Sequence, residues 1–307
     1  MIPKPKNDSN NFIRWRFGLL CSCILMSLLG LLARVAWLQV IEPDPLVKEE
    51  DMRSVRVMAT PNTRGMITDR NGHPLAVSVP VEAIWADAKI VVEKGGVGTT
   101  ERWQALAQEL NMPMDQLINR INQNPNARFI YLARQVEPNV AEYIQRLKLP
   151  GIATKAESRR FYPSGDVAAN LIGFTNIDDQ GIEGVEKSFN SLLSGTAGSR
   201  VVRKDRFGRV VEDISSTDSH PGQNVELSID ERLQAETSHA LTNAVMFNKA
   251  DSGSAVVIDV NTGEILAMAN YPTFNPNNRV GTPEDNFRNR AISDIFEPGS
   301  TVKPMVV

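Results

Sequence analysis

Cysteine is almost absent from this chain of 307 residues, and its scarcity limits the available chemistry. Cys21 and Cys23 are the only two, and both lie in one apolar run near the N-terminus, so the rest of the chain can form no disulfide or thiolate metal site. His73, His220 and His239 show no HExxH or other paired spacing and are interpreted as surface or loop residues. We therefore expect no metal and no cofactor.

A clear excess of charge of one sign is lacking as well. The 33 Lys and Arg residues nearly balance the 36 Asp and Glu residues, and both signs are interspersed along the chain. Proteins that bind nucleic acid present a basic face or stripe, so we exclude nucleic acid as a partner. The hydrophobic content of 42% is that of an ordinary globular protein, and the length predicts about two domains.

One long apolar run is present near the N-terminus. Residues 17–33 carry no charge, Arg34 follows, and residues 35–41 are apolar apart from Gln39. At about 1.5 Å per residue, a helix of this length crosses a bilayer core of about 30 Å. We therefore predict a transmembrane anchor over residues 17–41, preceded by a short tail of residues 1–16.

The charges on either side of the run predict its orientation. Basic residues precede it and acidic residues follow it, namely Lys4, Lys6, Arg14 and Arg16 before it and Glu42, Asp44, Glu49, Glu50 and Asp51 after it. The positive-inside rule then places the tail in the cytoplasm and the bulk of the chain outside. The alternative is a cleavable signal peptide, but its apolar core is shorter, about 7–15 residues, and ends at a small-residue cleavage site.

Residues 50–220 predict an irregular α+β domain. Asn71-Gly72 is a strong turn signal for a β-hairpin between apolar arms. Apolar residues recur at helical spacing in three further segments, which are 101–112, 114–123 and 140–147. The basic run over residues 203–209 contains an acid and an aromatic residue, and we interpret it as a solvated hairpin.

Two glycine- and arginine-containing stretches in this domain have no evident chemistry. They are RRFYP at residues 159–163 and GIEG at residues 181–184. The glycines do not complete a GxGxxG dinucleotide fingerprint. We interpret both stretches as turns and packed helix starts.

A second domain is predicted over residues 221–307, after the polar stretch at residues 215–222. Asp230 is the expected N-cap of a helix over residues 231–248. Asn261-Thr262-Gly263 separates two apolar strands and predicts an antiparallel hairpin covered by that helix.

Near the end of the sequence a serine precedes a lysine by three residues. On an expected helix Ser300 and Lys303 share one face, so an uncharged Lys303 amine could take the hydroxyl proton as Ser300 attacks a carbonyl. Free backbone N–H groups at the helix N-terminus would favour the developing oxyanion. The pair alone is a weak signal, because about one such match arises by chance in a chain of this size.

Seven stretches in a fixed order form a more specific pattern. They are RGMITDRNG (64–72), RRFYP (159–163), GIEG (181–184), LSIDERLQ (227–234), VNTGEILAMA (260–269), FNPN (274–277) and EPGSTVKP (297–304). Together, behind a single anchor, they resemble the class B penicillin-binding proteins, and within that family the septal peptidoglycan transpeptidases of enteric bacteria. The resemblance covers nearly everything after residue 11.

The resemblance implies an α+β fold with a single transmembrane helix, an elongated dimerisation-type pedestal over residues 50–220, and the N-terminal part of a serine β-lactamase-like transpeptidase domain over residues 221–307. It implies a D,D-transpeptidase of the bacterial inner membrane that faces the periplasm and cross-links stem peptides ending in D-Ala-D-Ala. Ser300 would be the acylated nucleophile and Lys303 its base, and β-lactams would acylate the same serine. The implied partners are division proteins, including a polytopic glycosyltransferase.

The sequence departs from the family pattern in one respect. Such enzymes also use a Ser-x-Asn element and a Lys-Thr-Gly strand. Ser9-Asn10-Asn11 fits the first but lies in the predicted tail, and Asn261-Thr262-Gly263 lacks the lysine of the second. We therefore expect an N-terminal fragment that is inactive by itself. The alternative is a non-enzymatic, membrane-anchored periplasmic scaffold that binds division partners.

Overall fold

The computed structural model describes residues 9–36, 55–60, 62–98, 100–204 and 210–303. The helices are α1 Ser9–Ala36, α2 Ala88–Glu93, α3 Glu101–Glu109, α4 Met114–Asn122, α5 Pro138–Arg146, α6 Ala169–Ile172, α7 Gly184–Ser188, α8 Asn190–Ser194, α9 Glu231–Asn248 and α10 Arg290–Ser293. The strands are β1 Val55–Thr60, β2 Ile67–Thr68, β3 Pro74–Ala86, β4 Ile130–Val136, β5 Ile152–Phe161, β6 Gly198–Lys204, β7 Val210–Thr217, β8 Val225–Glu226, β9 Gly253–Ile258 and β10 Ile265–Tyr271.

The chain divides into two compact units. The first comprises Met1–Met58 and Ser199–Thr217, and the second comprises Ala59–Gly198 and Asp218–Val307. The predicted boundary near residues 215–222 separates the chain differently and stays a prediction.

In the first unit, α1 confirms a long apolar helix near the N-terminus. Its Trp15–Val35 segment has a mean hydropathy of 2.1 and no buried residue, so it is long and apolar enough to cross a membrane. A signal sequence would have the same properties. The last part of the predicted anchor, residues 37–41, lies outside the described residues.

The same unit contains a three-stranded sheet in the order β1-β6-β7. Strands β6 and β7 are antiparallel, and exposed ion pairs join Arg200 to Asp213 and Arg203 to Glu212 across them. This confirms the predicted hairpin, although its tip at residues 205–209 lies outside the described residues. Opposite charges on neighbouring strands stabilise the pairing of those strands.

The main sheet of the second unit is built around β3. The order is β4-β3-β2-β8, and β5 pairs with β3 as well. Strands β2 and β3 are antiparallel, and Gly72, in the turn between them, has a φ of +82°, which confirms the predicted hairpin. The three predicted helices are also confirmed as α3, α4 and α5, each ending one to three residues earlier than expected.

Two hydrophobic clusters hold this unit together. In the first, the helices bury their apolar faces against the sheet, and its largest members are Ile84, Trp103, Leu106, Leu117, Ile121, Leu132 and Ile144. The second cluster takes residues from much more distant parts of the sequence, including Ile67, Leu75, Tyr162, Ile172, Phe174, Leu193, Val225 and Phe274. A shared core of this kind couples residues 62–198 to residues 218–287.

The predicted helix and hairpin near the C-terminus are confirmed. The Asp230 carboxylate accepts the backbone N–H groups of Arg232 and Leu233 and so caps α9. Helix α9 packs on the β9–β10 hairpin. Buried Gln234 joins the two: its Nε2 donates to the Met268 carbonyl at 3.0 Å, and its Oε1 accepts the Met268 N–H at 2.7 Å.

Candidate active site

The Ser300–Lys303 pair lies on a short turn of helix. Gly299–Val302 form a 3₁₀ helix, and the Lys303 N–H donates to the Ser300 carbonyl. Residues three apart are eclipsed in a 3₁₀ helix, so the backbone places Ser300 and Lys303 on one face, as predicted. The expected α-helix is seen only as this single turn, and residues 304–307 lie outside the described residues.

The chain just before this turn is docked on β10 through Asn270. The buried Asn270 side chain donates to Asn289 Oδ1 at 3.0 Å and accepts the Ala291 N–H at 2.8 Å. Asp294 then pairs with Arg290 at 3.0 Å, and a hydrogen bond from that guanidinium lowers the pKa of Asp294. These contacts fix helix α10, which ends seven residues before Ser300.

Beyond Asp294 the chain is open to solvent. Ile295 and Phe296 are 100% and 77% exposed, and the side chains of Ser300 and Lys303 are exposed as well. A lysine acts as a base only when uncharged, a form that burial and neighbouring cations favour. The described residues do not enclose Lys303. The turn therefore places a serine and a lysine on one face, and the described residues do not provide the surroundings that would activate such a pair.

The other two elements of the family pattern do not join this turn among the described residues. Ser9-Asn10-Asn11 lies in α1, and Asn261-Thr262-Gly263 is the turn between β9 and β10. Ser188-Phe189-Asn190 also fits Ser-x-Asn, but its Asn190 Oδ1 accepts Arg64 Nη1 at 2.9 Å and the Gly181 N–H at 2.9 Å. The Asn190 side chain is thus occupied within the fold.

A buried cluster of Arg64, Arg160 and Glu186, here called the arginine–glutamate cluster, was not predicted. Arg64 Nη2 lies 2.6 Å from Glu186 Oε2, and Arg160 Nε lies 2.6 Å from Oε1. All three side chains are at most 1% exposed. Two of the recognised stretches, RGMITDRNG and RRFYP, therefore meet here at Glu186, which lies two residues after GIEG.

Glycine permits the close packing around this cluster. Gly184, at the start of α7, has a φ of +62°, and a Cβ there would lie 2.5 Å from the Leu171 carbonyl oxygen. A Cβ on Gly181 would lie 2.0 Å from the Glu186 carbonyl oxygen. The interpretation of GIEG as a turn leading into a helix is confirmed, and its glycines allow the backbone to approach Glu186. The same interpretation is wrong for RRFYP, because its first three residues are the end of strand β5, which pairs with β3.

A second polar group joins the β2–β3 turn to α9. His73 lies in that turn, as expected of a loop histidine, but its Nδ1 also lies 3.2 Å from Asp69 Oδ2 and 3.7 Å from Glu231 Oε2. These three side chains are close enough to hold a cation. However, Asp69 Oδ1 already accepts the N–H groups of Asn71 and His73, and Oδ2 accepts the N–H of Glu231. We therefore assign Asp69 a structural role.

Hydrogen bonding changes the pKa of Asp69. Burial opposes the charged form, but the backbone N–H groups of His73, Glu231 and Asn71 outweigh it and lower the pKa of Asp69 to about 2. The Asp69 carboxylate is therefore charged at neutral pH and fastens the turn to the first residue of α9.

Two family models match this chain. The one described as the penicillin-binding protein dimerisation domain matches residues 59–227, which is more than half of the chain. The one described as the penicillin-binding protein transpeptidase domain matches residues 253–307. The chain belongs to the penicillin-binding proteins. This confirms the family resemblance and the mixed α+β fold inferred from the sequence.

Similarity to individual proteins supports the same family assignment. The peptidoglycan D,D-transpeptidase FtsI of Escherichia coli (strain K12) is 67% identical over 305 residues, covering 99% of this chain and 52% of that protein. The FtsI of Buchnera aphidicola subsp. Schizaphis graminum is 49% identical over 296 residues, covering 96% and 52%. The chain thus spans about half the length of the curated relatives it matches.

A solved structure supports the same fold. The crystal structure of a peptidoglycan synthetase from Bifidobacterium adolescentis superposes with a TM-score of 0.55 at 28% identity, covering 81% of this chain and 49% of that one. The likeness extends over most of the described residues.

Proposed function

We propose that this protein is a serine-type peptidoglycan D,D-transpeptidase that cross-links stem peptides at the division septum. The observation that carries the proposal is the 67% identity, over 99% of the chain, to a protein named as such an enzyme, with a Ser-x-x-Lys pair on one helical face. We assign residues 50–220 as its pedestal and residues 221–307 as the start of its transpeptidase domain.

In the proposed reaction Ser300 Oγ attacks the penultimate D-Ala carbonyl of a stem peptide that ends in D-Ala-D-Ala. Lys303, as the uncharged base, takes the hydroxyl proton and passes it to the departing D-Ala amine. The stem peptide is then held as an ester on Ser300. The amine of a neighbouring stem peptide attacks this ester, which forms the cross-link and regenerates the serine. A β-lactam would acylate the same oxygen.

The proposed location is the bacterial inner membrane, with α1 as a single-pass anchor, the N-terminus in the cytoplasm and the bulk of the chain in the periplasm. The charge asymmetry about α1 supports this orientation. A reporter that is active only in the periplasm, fused after Asp51, should be active, and the product should stay in the membrane fraction. A soluble periplasmic product starting near residue 35 would instead show a cleaved signal peptide. The proposed partners are division proteins of that membrane, including a polytopic glycosyltransferase.

Covalent labelling by a fluorescent penicillin tests the chemistry. Two proteins are compared: the 307-residue chain, and a chimera in which the remaining C-terminal part of the E. coli relative follows Val307. The chimera should be labelled rapidly, Ser300→Ala should abolish labelling, and Lys303→Ala should slow it by about 10² to 10⁴, the usual contribution of a general base. Ser254→Ala, an exposed serine on β9, is the matched control and should leave labelling unchanged.

The same assay separates the enzyme from the scaffold alternative. Slow or absent labelling of the 307-residue chain would agree with oxyanion donors being supplied by other residues, since the loss of one such donor costs about 10² to 10³ in rate. Rapid stoichiometric labelling of the 307-residue chain at Ser300 would refute the expectation that it is inactive. Labelling of the chimera that survives Ser300→Ala would refute the assignment of the nucleophile.

A further inference from the structure

The second unit contains a cavity of about 690 Å³ away from the Ser300 turn. It lies between the end of β5, the segment at residues 174–177 and the loop at residues 276–280. Its lining includes Arg159, Arg160, Tyr162, Phe174, Asn277 and Arg279. Cavities that bind small molecules have volumes of about 300–1,000 Å³.

The lining is cationic. Arg159, Arg160 and Arg279 contribute to it, and none of the described lining residues is Asp or Glu. Glu186 lies behind the wall and pairs with Arg160, but it pairs with Arg64 too, so that one carboxylate faces two guanidinium groups. The formal charge around the cavity is therefore positive.

Arg279 is the cation best placed to bind a ligand. Its Cζ lies 3.9 Å from the centroid of the Phe174 ring, and its Nη2 donates to the Thr175 carbonyl at 3.2 Å. No carboxylate pairs with it among the described residues. Burial lowers the pKa of Arg279, since the desolvation of its charge is only weakly opposed by Tyr162. Stacking on a ring holds the guanidinium plane while most of its N–H groups stay available.

Arg160 also has a guanidinium nitrogen without a hydrogen-bond acceptor among the described residues. Its Nε pairs with Glu186 and its Nη1 donates to Ser78 Oγ at 3.1 Å, but its buried Nη2 has no acceptor among the described residues. An unsatisfied buried N–H group is unfavourable, so an acceptor that reached it would stabilise it. Arg159, by contrast, has an exposed side chain.

The cavity walls are fixed by hydrogen bonds and aromatic packing. Asn277 exchanges hydrogen bonds with the Tyr162 backbone, its Oδ1 accepting the N–H at 3.0 Å and its Nδ2 donating to the carbonyl at 2.8 Å. Phe174 packs edge-on against Phe274 and Phe287, with ring centroids 5.8 and 5.1 Å away. The site is thus preformed, with arginines on part of the lining and aromatic rings on another part.

We propose that this cavity binds a ligand that carries a carboxylate or phosphate group on an apolar body. Planar guanidinium groups match both anions by paired N–H donors. The aromatic rings would receive the apolar body. The site shares no residue with the Ser300–Lys303 pair, so this proposal does not depend on the acyl transfer proposed above.

Calorimetric titration of the full chain in detergent micelles tests this site, with protein-free micelles as the blank. The probes are N-acetyl-L-phenylalanine for the carboxylate, phenyl phosphate for the phosphate, and N-acetyl-L-phenylalaninamide as a neutral control of the same shape. Arg279→Gln removes the stacked cation, Arg159→Gln removes the exposed one, and Arg146→Gln is a control on α5, outside the cavity. Circular dichroism checks that each variant is folded.

We expect at least one anionic probe to bind more tightly than the amide, and Arg279→Gln to weaken that probe about tenfold or more while Arg146→Gln leaves it unchanged. Which anion binds better identifies its class. If Arg279→Gln does not fold, a loss of affinity of severalfold in Arg159→Gln decides instead. Binding of neither anion, equal binding of the amide, or affinities unaffected by both cavity variants would overturn the proposal.

Discussion

Replacing Glu186 by glutamine should strongly destabilise the second unit. The carboxylate accepts Arg64 Nε at 2.8 Å, lies 2.6 Å from Arg64 Nη2, and accepts Arg160 Nε at 2.6 Å. A glutamine of the same shape keeps one acceptor oxygen but replaces the other with an NH₂ group, which faces a guanidinium. Glu186→Gln therefore leaves two buried cations without a counter-charge.

The size of the destabilisation follows from the burial of the three side chains. Glu186 is fully buried and each arginine side chain is 1% exposed, so water cannot replace the missing charge. Removing one partner of a buried ion pair costs about 3–5 kcal/mol. With a urea dependence of about 3 kcal/mol per M for a unit of this size, the unfolding midpoint should fall by about 1 to 1.7 M.

Tryptophan fluorescence during urea unfolding in detergent measures this change. Trp103 is buried in the first hydrophobic cluster and Trp85 stacks on Phe129 at 4.9 Å, so both report on the second unit. The matched control is Glu142→Gln. Glu142 pairs with Arg146 at 2.6 Å, but their side chains are 64% and 69% exposed. Such surface pairs contribute about 0–1 kcal/mol, so the control should barely move the midpoint.

The comparison of the two variants can refute the reasoning. If Glu186→Gln shifts the midpoint no more than Glu142→Gln does, the cluster is solvated and its charges are worth little. A large shift of the urea midpoint in both variants would mean that the loss of a negative charge destabilises the protein whether or not the charge is buried. Only a large shift confined to Glu186→Gln agrees with an ion cluster closed to water.

Two further variants test other buried polar contacts. Gln234→Leu should cost about 2–3 kcal/mol in urea unfolding, because the Met268 N–H would be left buried without an acceptor, whereas Glu236→Leu on the exposed face of α9 should cost little. Asp69→Asn should lower stability at pH 7. The pKa of Asp69 is lowered to about 2 from 3.8, so the stabilisation by its carboxylate is complete above about pH 4 and is lost as the pH falls through 2. The difference in unfolding free energy between parent and variant should therefore disappear over that range. A difference that does not depend on pH would contradict this reasoning.

Local signals in the sequence predicted the local structure. Asn71-Gly72 and Asn261-Thr262-Gly263 each close a hairpin, and Asp230 caps α9, because these residues satisfy backbone geometry or hydrogen bonds within a few positions. The apolar stripes of α3, α4 and α5 are likewise local, and all three helices bury those stripes. Chain topology plays no part in any of these predictions.

The contacts that were not predicted are long-range. Arg64 and Glu186 are 122 positions apart, and the parallel pairing of β2 with β8 joins Ile67 to Val225. An arginine in a sequence is typical of the surface, and no periodicity distinguishes one that will be buried with a glutamate. The same limit applies to the cavity, since Arg159 and Arg279 come from opposite sides of the predicted domain boundary.

The recognised stretches divide by what their residues do in the fold. RGMITDRNG, RRFYP and GIEG converge on the neighbourhood of Glu186, LSIDERLQ and VNTGEILAMA meet where Gln234 holds Met268, and FNPN places Asn277 against Tyr162. EPGSTVKP carries Ser300, the proposed nucleophile. The Gln234–Met268 contact holds strand β10, Asn270 of that strand docks helix α10, and the Ser300 turn begins a few residues after that docked helix. Loss of the Gln234–Met268 contact should therefore reduce penicillin labelling of the chimera through the stability of the docked segment, without altering the serine itself.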